Sequence, residues 1–122
     1  MNYKVNYDKD IASLNIKLYG MLTEKDVHEL MAEVEKLYEG KPRRYALIDL
    51  SEAQGGFLDK SARRAFRVYA PKMQQGKMAV VGAKPVTQIL AKAAIAALGS
   101  LNMTRFFKKP EEAFAWLKEE KK

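Results

Sequence analysis

Tyr45-Ala46-Leu47-Ile48-Asp49-Leu50 is a nearly unbroken apolar run, preceded by Gly40 and Pro42 and followed by Gly55-Gly56. At six residues it is too short for a typical helix, and its β-branched and aromatic content suits a strand. A continuous apolar strand, without the alternation of a half-wet one, is expected at the centre of a parallel sheet with both faces covered. Lys77-Met78-Ala79-Val80-Val81 reads the same way, and Met103–Phe107 supplies a last strand.

Parallel strands need crossovers, and the intervening stretches have helical spacing. Between Gly20 and Gly40, Val27, Leu30, Met31, Val34, Leu37 and Tyr38 recur at helical intervals, which predicts a helix over about 24–39. Thr23 and Asp26 form a capping-box pair at its start, and Gly40 and Pro42 suit its end. Ser51 to Phe57 reads as a loop. Leu58, Ala62, Ala65, Phe66 and Tyr69 then form one face of a second helix, which Pro71 ends or kinks. Pro85 opens a third helix that runs to about Gly99, and Pro110-Glu111-Glu112 opens a fourth. Upstream, Tyr3, Val5 and Tyr7, then Ala12, Leu14, Ile16 and Leu18, alternate with polar residues across Asp8-Lys9-Asp10, the pattern of a β-hairpin. The order is β-β-α-β-α-β-α-β-α. The expected fold is one α/β domain over 1–122, a small mixed sheet flanked by helices, with a frayed tail at 119–122.

Composition agrees. A chain of 122 residues, 48% hydrophobic and 30% charged, holds one core-forming domain and is not disordered. It has no Cys and one His, so no disulfide, thiol nucleophile or Cys-ligated metal is expected, and neither a cofactor nor a metal is implied. No basic-then-apolar leader and no long apolar run appear, so the expected location is cytoplasmic, with peripheral membrane attachment as a variant. The net charge of +7 is uneven: residues 1–40 carry 5 basic and 8 acidic side chains, residues 41–84 carry 10 and 3. A basic middle third points to an anionic partner.

Ala46-Leu47-Ile48-Asp49-Leu50 with the glycines after it, Met78-Ala79-Val80-Val81-Gly82, and Glu111-Glu112-Ala113-Phe114-Ala115-Trp116-Leu117 together resemble the STAS domain family of anti-sigma-factor antagonists. Their order over nearly the whole chain is most similar to its divergent sporulation-AA-like branch. The resemblance implies a non-enzymatic binding or regulatory module that acts through a protein partner. It also implies a fold relationship to Sec14-type lipid-binding domains, hence the alternative of an apolar ligand or a membrane surface. In regulatory members a Ser or Thr opening the helix after the central strand is phosphorylated. Here Ser61 in Asp59-Lys60-Ser61-Ala62 lacks the glycine that follows in those members, and Ser51 lies earlier.

Four groups of residues are candidates for function. Ligands of open parallel sheets bind at the carboxyl ends of the strands, which designates Asp49, Ser51, Gly55, Gly56, Gly82 and Lys84. Asp49, Glu52 and Asp59 could be read as an acid/base group, but Asp59 is more simply a helix cap, and no catalytic residue is assigned. His28 is expected to be solvated on the flank of the first helix. Lys60, Arg63, Arg64 and Arg67 form a basic face about 160° from the apolar face of the second helix. No nucleic-acid motif accompanies it, so acidic proteins or anionic lipid are the expected partners. In the third helix Val86, Ile89, Leu90, Ala93, Ala94 and Ala97 are expected to face the sheet. That leaves Ala91, Ile95 and Leu98 outside, covered within the domain, beneath a second copy, over an apolar pocket or against a membrane.

Overall fold

The computed structural model describes residues 2–72, 75–97, 99 and 101–119. The hairpin is β1 (Tyr3–Asp8) and β2 (Ser13–Leu22), followed by α1 (Glu24–Tyr38), β3 (Ala46–Leu58), α2 (Lys60–Tyr69), β4 (Met78–Val81), α3 (Pro85–Ala97), β5 (Thr104–Phe107) and α4 (Pro110–Lys118). The five strands lie in the order β1-β2-β3-β4-β5. Only β1 and β2 are antiparallel; the other three pairings are parallel. The mixed α/β architecture is the expected one. The expected frayed tail lies outside the described residues, Glu119 apart.

Three crossovers that each step one strand in the same direction, all right-handed, put their helices on one face of the sheet. α1, α2 and α3 do share one core with Leu14, Ile16, Leu18, Ala46, Leu50, Met78 and Val80. This corrects the expectation that crossover helices cover both faces. The opposite face is covered by α4 alone, whose Ala113, Trp116 and Leu117 pack on Leu47, Ala79 and Val81. Leu47, Val80 and Val81 are buried, and Ile48 is half-buried.

The residues from Ser51 to Phe57 are strand, not loop. β2 continues past Gly20, whose φ of +58° takes it through a left-handed kink, and Leu22 pairs with Leu58 after register shifts. Burial of Leu22, Ala53, Phe57 and Leu58 draws both extensions onto the domain. The capping box forms as expected: Asp26 N–H donates to Thr23 Oγ1 (3.3 Å) and Thr23 N–H to Asp26 Oδ2 (2.9 Å). The bond from the Thr23 backbone N–H, chiefly, holds the Asp26 carboxyl below its ordinary range, with the side chains of Asn2 and Thr23 adding to it.

α3 is rotated from the expectation: of the residues expected to face the sheet, only Leu90 and Ala94 pack on the core, and both are half-buried. Thr87, Ala91 and Ile95 are buried against the sheet, while Val86 and Ile89 are 66% and 73% exposed and Ala93 and Ala97 are exposed too. Ala91 and Ile95 are therefore covered within the chain, and Leu98 lies outside the described residues. The physical reason is fit. Ile95 is the large side chain that reaches the core over β3 and β4, and the opposite stripe, although more apolar in count, has no equivalent surface to meet.

Candidate binding site

Asp49 and Ser51 lie within β3, not at its carboxyl end as expected, and stand beside Gly82 just after β4; Gly55 lies further along β3, against the start of α3. Gly82 has a φ of +73°, and a Cβ there would stand 2.8 Å from Ser51 Cβ and 3.0 Å from its Cα. A Cβ on Gly55 would stand 3.0 Å from Val86 Cγ1, so the start of α3 presses on the β3 extension. Both glycines thus close the rim. The outer side of that rim is exposed: Ser51, Glu52, Gln54, Gly56 and Lys84 all face solvent.

The carboxylates near the rim have structural partners. Asp49 Oδ1 accepts the Ser51 N–H at 2.9 Å, and Lys17 Nζ lies 2.7 Å from Glu52 and 3.9 Å from Asp49. The hydrogen bond that the Lys17 ammonium donates to Glu52, chiefly, raises it above its ordinary value. Asp59 caps α2: its Oδ1 accepts Ala62 N–H and Ser61 Oγ–H, each at 2.8 Å. The Ala62 bond leads in holding this carboxyl below its usual range. The hydroxyl of Ser61 is thus engaged within its own turn, while Ser51 is exposed. Among the described residues no group of three or more His, Asp or Glu could hold a metal ion.

Lys60, Arg63, Arg64 and Arg67 are all exposed along the outer side of α2. His28 is exposed but not isolated. Its Nδ1 lies 2.6 Å from Tyr69 Oη and its Nε2 3.5 Å from Glu24, so it ties α1 to α2. Sequence carried no sign of that tie, because Tyr69 is 41 residues away.

Under α1, α2 and α3 lies an apolar cavity of about 90 Å³, bordered by Leu30, Met31, Ile48, Phe66, Ala91 and Ile95 among others. Its origin is the small side chains where helices meet the core. α2 buries only Ala62 and Ala65, and α3 contributes Ala91 and Ala94, so three helices and a sheet meet without filling the space between them. Gln75 also borders it, and its Nε2 donates to Arg44 O at 2.6 Å and to Tyr38 Oη at 2.9 Å. The alanines were visible in the sequence; the void they leave was not.

On the other face Lys77 is buried, 5% exposed. Its ammonium donates to the carbonyls of Trp116 (3.3 Å) and Glu119 (3.5 Å) at the C-terminal end of α4, and sits 4.8 Å from the Trp116 ring. Arg43 donates to Leu117 O at 3.1 Å and to Ile11 O at 2.8 Å. Two cations at the negative end of a helix dipole hold α4 down.

A five-stranded mixed sheet with three crossover helices on one face and a fourth helix on the other defines the class, a small α/β domain. The chain belongs to the SpoIIAA-like family, whose model matches residues 13–118. No curated protein matches it. Its fold is similar to that of an uncharacterised protein from Shewanella loihica PV-4 described as having a SpoIIAA-like fold, at 21% identity and a TM-score of 0.73, over 94% of this chain and 91% of that one. It is also similar to the anti-sigma factor antagonist SpoIIAA in its unphosphorylated form, at 12% identity and a TM-score of 0.61, over 91% and 92% of the two chains. No helix among the described residues is long and apolar enough to cross a membrane.

Proposed function

We propose that this protein is a non-enzymatic regulatory module that works by docking a protein partner on the exposed rim formed by the carboxyl end of β4 and the β3 extension beside it. The observation that supports this most is that the rim is closed. Gly82 seats directly on Ser51, so the place where an open sheet would take a small ligand offers a surface instead. Ser51, Gln54 and Lys84 project from a rigid base, and a rigid exposed polar surface suits recognition with little ordering cost. Membership of a family whose namesake is an anti-sigma factor antagonist agrees with this reading. A photo-crosslinking residue placed at Gln54 or at Lys84 in cells tests it, with Lys36 on α1 as the control position. One protein of defined mass captured from both rim positions and not from Lys36 is expected. Capture that is equal at all three, or absent at the rim, would overturn the reading.

A second reading rests on the apolar cavity beneath the helices. An apolar space of about 90 Å³ suits a small apolar molecule or the end of an acyl chain. Native mass spectrometry of the purified protein should then show a retained apolar ligand; xenon that fails to shift the methyl resonances of Leu30 and Ile95 would count against it.

A further inference from the structure

α1 and the end of α2 enclose a cleft of about 260 Å³, lined by Met31 and Glu35 from α1, by Tyr69 from α2 and by Lys72. Lys72 closes the 3₁₀ turn Ala70–Lys72 that follows α2. Two sets of contacts behind the cleft hold its lining. His28 Nδ1 lies 2.6 Å from Tyr69 Oη, its ring stands edge-on to the Tyr69 ring at 5.5 Å, and its Nε2 lies 3.5 Å from Glu24. The Arg44 guanidinium bonds Glu35 Oε2 and stacks 4.3 Å from the centre of the Tyr38 ring. The phenol and the carboxylate are therefore placed in advance, whereas long exposed side chains ordinarily sample several rotamers. Met31 is buried and makes the lining partly apolar. Lys72 is exposed and forms no ion pair among the described residues: Glu35, the carboxylate that lines the same cleft, is engaged by Arg44 instead.

We infer that this cleft is a binding site for a small zwitterion, a free α-amino acid with an apolar side chain. Opposite charges that share a cleft without closing on each other leave two places open. One, at the Glu35 carboxylate and the Tyr69 phenol, takes an ammonium; the other, at the Lys72 ammonium, takes a carboxylate. A simple anion would bring its charge beside Glu35, and a simple cation beside Lys72, so each would meet its own sign. A zwitterion satisfies both. The apolar side chain of the ligand meets Met31, whose flexible thioether adapts to irregular shapes. The size agrees: the cleft lies just below the range of sites for drug-sized molecules, roughly 300–1,000 Å³. Because Glu35 and Tyr69 are already held, binding orders little besides Lys72. The cleft is separate from the rim beside β4, so it stands or falls independently of the rim's partner.

Titration of the full chain with L-leucine, followed by NMR, tests the inference. The Tyr69 ring and the Met31 methyl resonances are expected to shift together and to saturate. The midpoint should be on the order of 1 mM, as for a ligand of about nine non-hydrogen atoms. 4-Methylpentanoate, which lacks the ammonium, and isopentylamine, which lacks the carboxylate, should each bind about tenfold more weakly. Lys72→Gln and Glu35→Gln should each weaken leucine about tenfold as well. Lys36→Gln, elsewhere on α1, removes the same charge as Lys72→Gln and should leave the midpoint unchanged. Should Glu35→Gln disturb Arg44, Lys72→Gln still reads the site, because it breaks no ion pair among the described residues. No saturable shift up to the solubility limit of leucine would overturn the inference. So would equal affinity for all three compounds, or an unchanged midpoint in Lys72→Gln. Shifts that move Ile95 with Met31 and leave Tyr69 still would also overturn it, because leucine would then lie in the cavity beneath the helices.

Discussion

Gly82 and Gly40 have nearly the same backbone, φ +73° and +75°, yet different surroundings. A Cβ on Gly40 meets nothing within 4 Å, whereas one on Gly82 meets Ser51 at 2.8 Å. Gly40→Ala should therefore cost about 1 kcal/mol, the left-handed conformation alone. Gly82→Ala adds a clash with a packed strand and should cost about 2–4 kcal/mol, read from denaturant midpoints. Tyr38 gives a second test at this scale. It is 3% exposed, its hydroxyl donates to Tyr45 O at 3.0 Å, and burial pushes it up to about 12. The unfolded tyrosine titrates near 10. Between those values the unfolded chain has released a proton that the folded chain retains, so stability is full below about pH 10 and falls by about 2–3 kcal/mol on the way to pH 12. Tyr38→Phe should remove that alkaline loss, although it also removes the hydrogen bond and lowers stability at neutral pH.

Helix α1 was legible because its apolar and charged residues alternate sharply around the wheel, leaving one choice of inner face. The orientation of α3 was not legible. Nearly every side of it is apolar or alanine, so periodicity does not single out a face, and a single well-placed Ile95 decides it. The second half of β3 was illegible for the opposite reason. Ser51-Glu52-Ala53-Gln54-Gly55-Gly56 has the composition of a loop and becomes strand only because β2 runs beside it. The rule of strand ends fits Gly82 and Lys84, which follow β4, whereas Asp49, Ser51, Gly55 and Gly56 lie within β3, and the packing of Gly82 onto Ser51 depends on the register of two strands. Helix α2 differs from α1 in what holds it. α1 buries Val27, Leu30, Met31, Val34 and Tyr38, while α2 buries two alanines, aided by a half-buried Phe66 and the His28–Tyr69 contact. Amide hydrogen exchange should therefore be faster at Ala65–Tyr69 than at Leu30–Val34, through local opening of α2. Equal protection in both helices would show that α2 opens only with the whole domain.

For the whole molecule, the layers are unequal: three helices over one face, one helix and two clamping cations over part of the other, and a wet strip across β1 and β2 where Lys4, Asn6 and Lys17 point away from the core. The thick layer contains the cavity, which offers a direct test. Ala91→Val adds two methyl groups at a site that borders the space and is 3% exposed. Their burial outweighs the lower helix propensity of valine, so a gain of about 1 kcal/mol in unfolding free energy is expected. A loss would mean that Ala91 has no room beside it. The order of the strands has a further consequence, for the way the chain assembles. Because space and sequence run in step, each βα unit adds to an edge that its predecessor has just completed. No strand has to be threaded between two already paired, and no early partner has to be released to admit a later one. This order lets the sheet grow outward from the hairpin by accretion, each step closing a loop of one helix. Short loops of that kind make assembly quick and leave few occasions for a wrong neighbour.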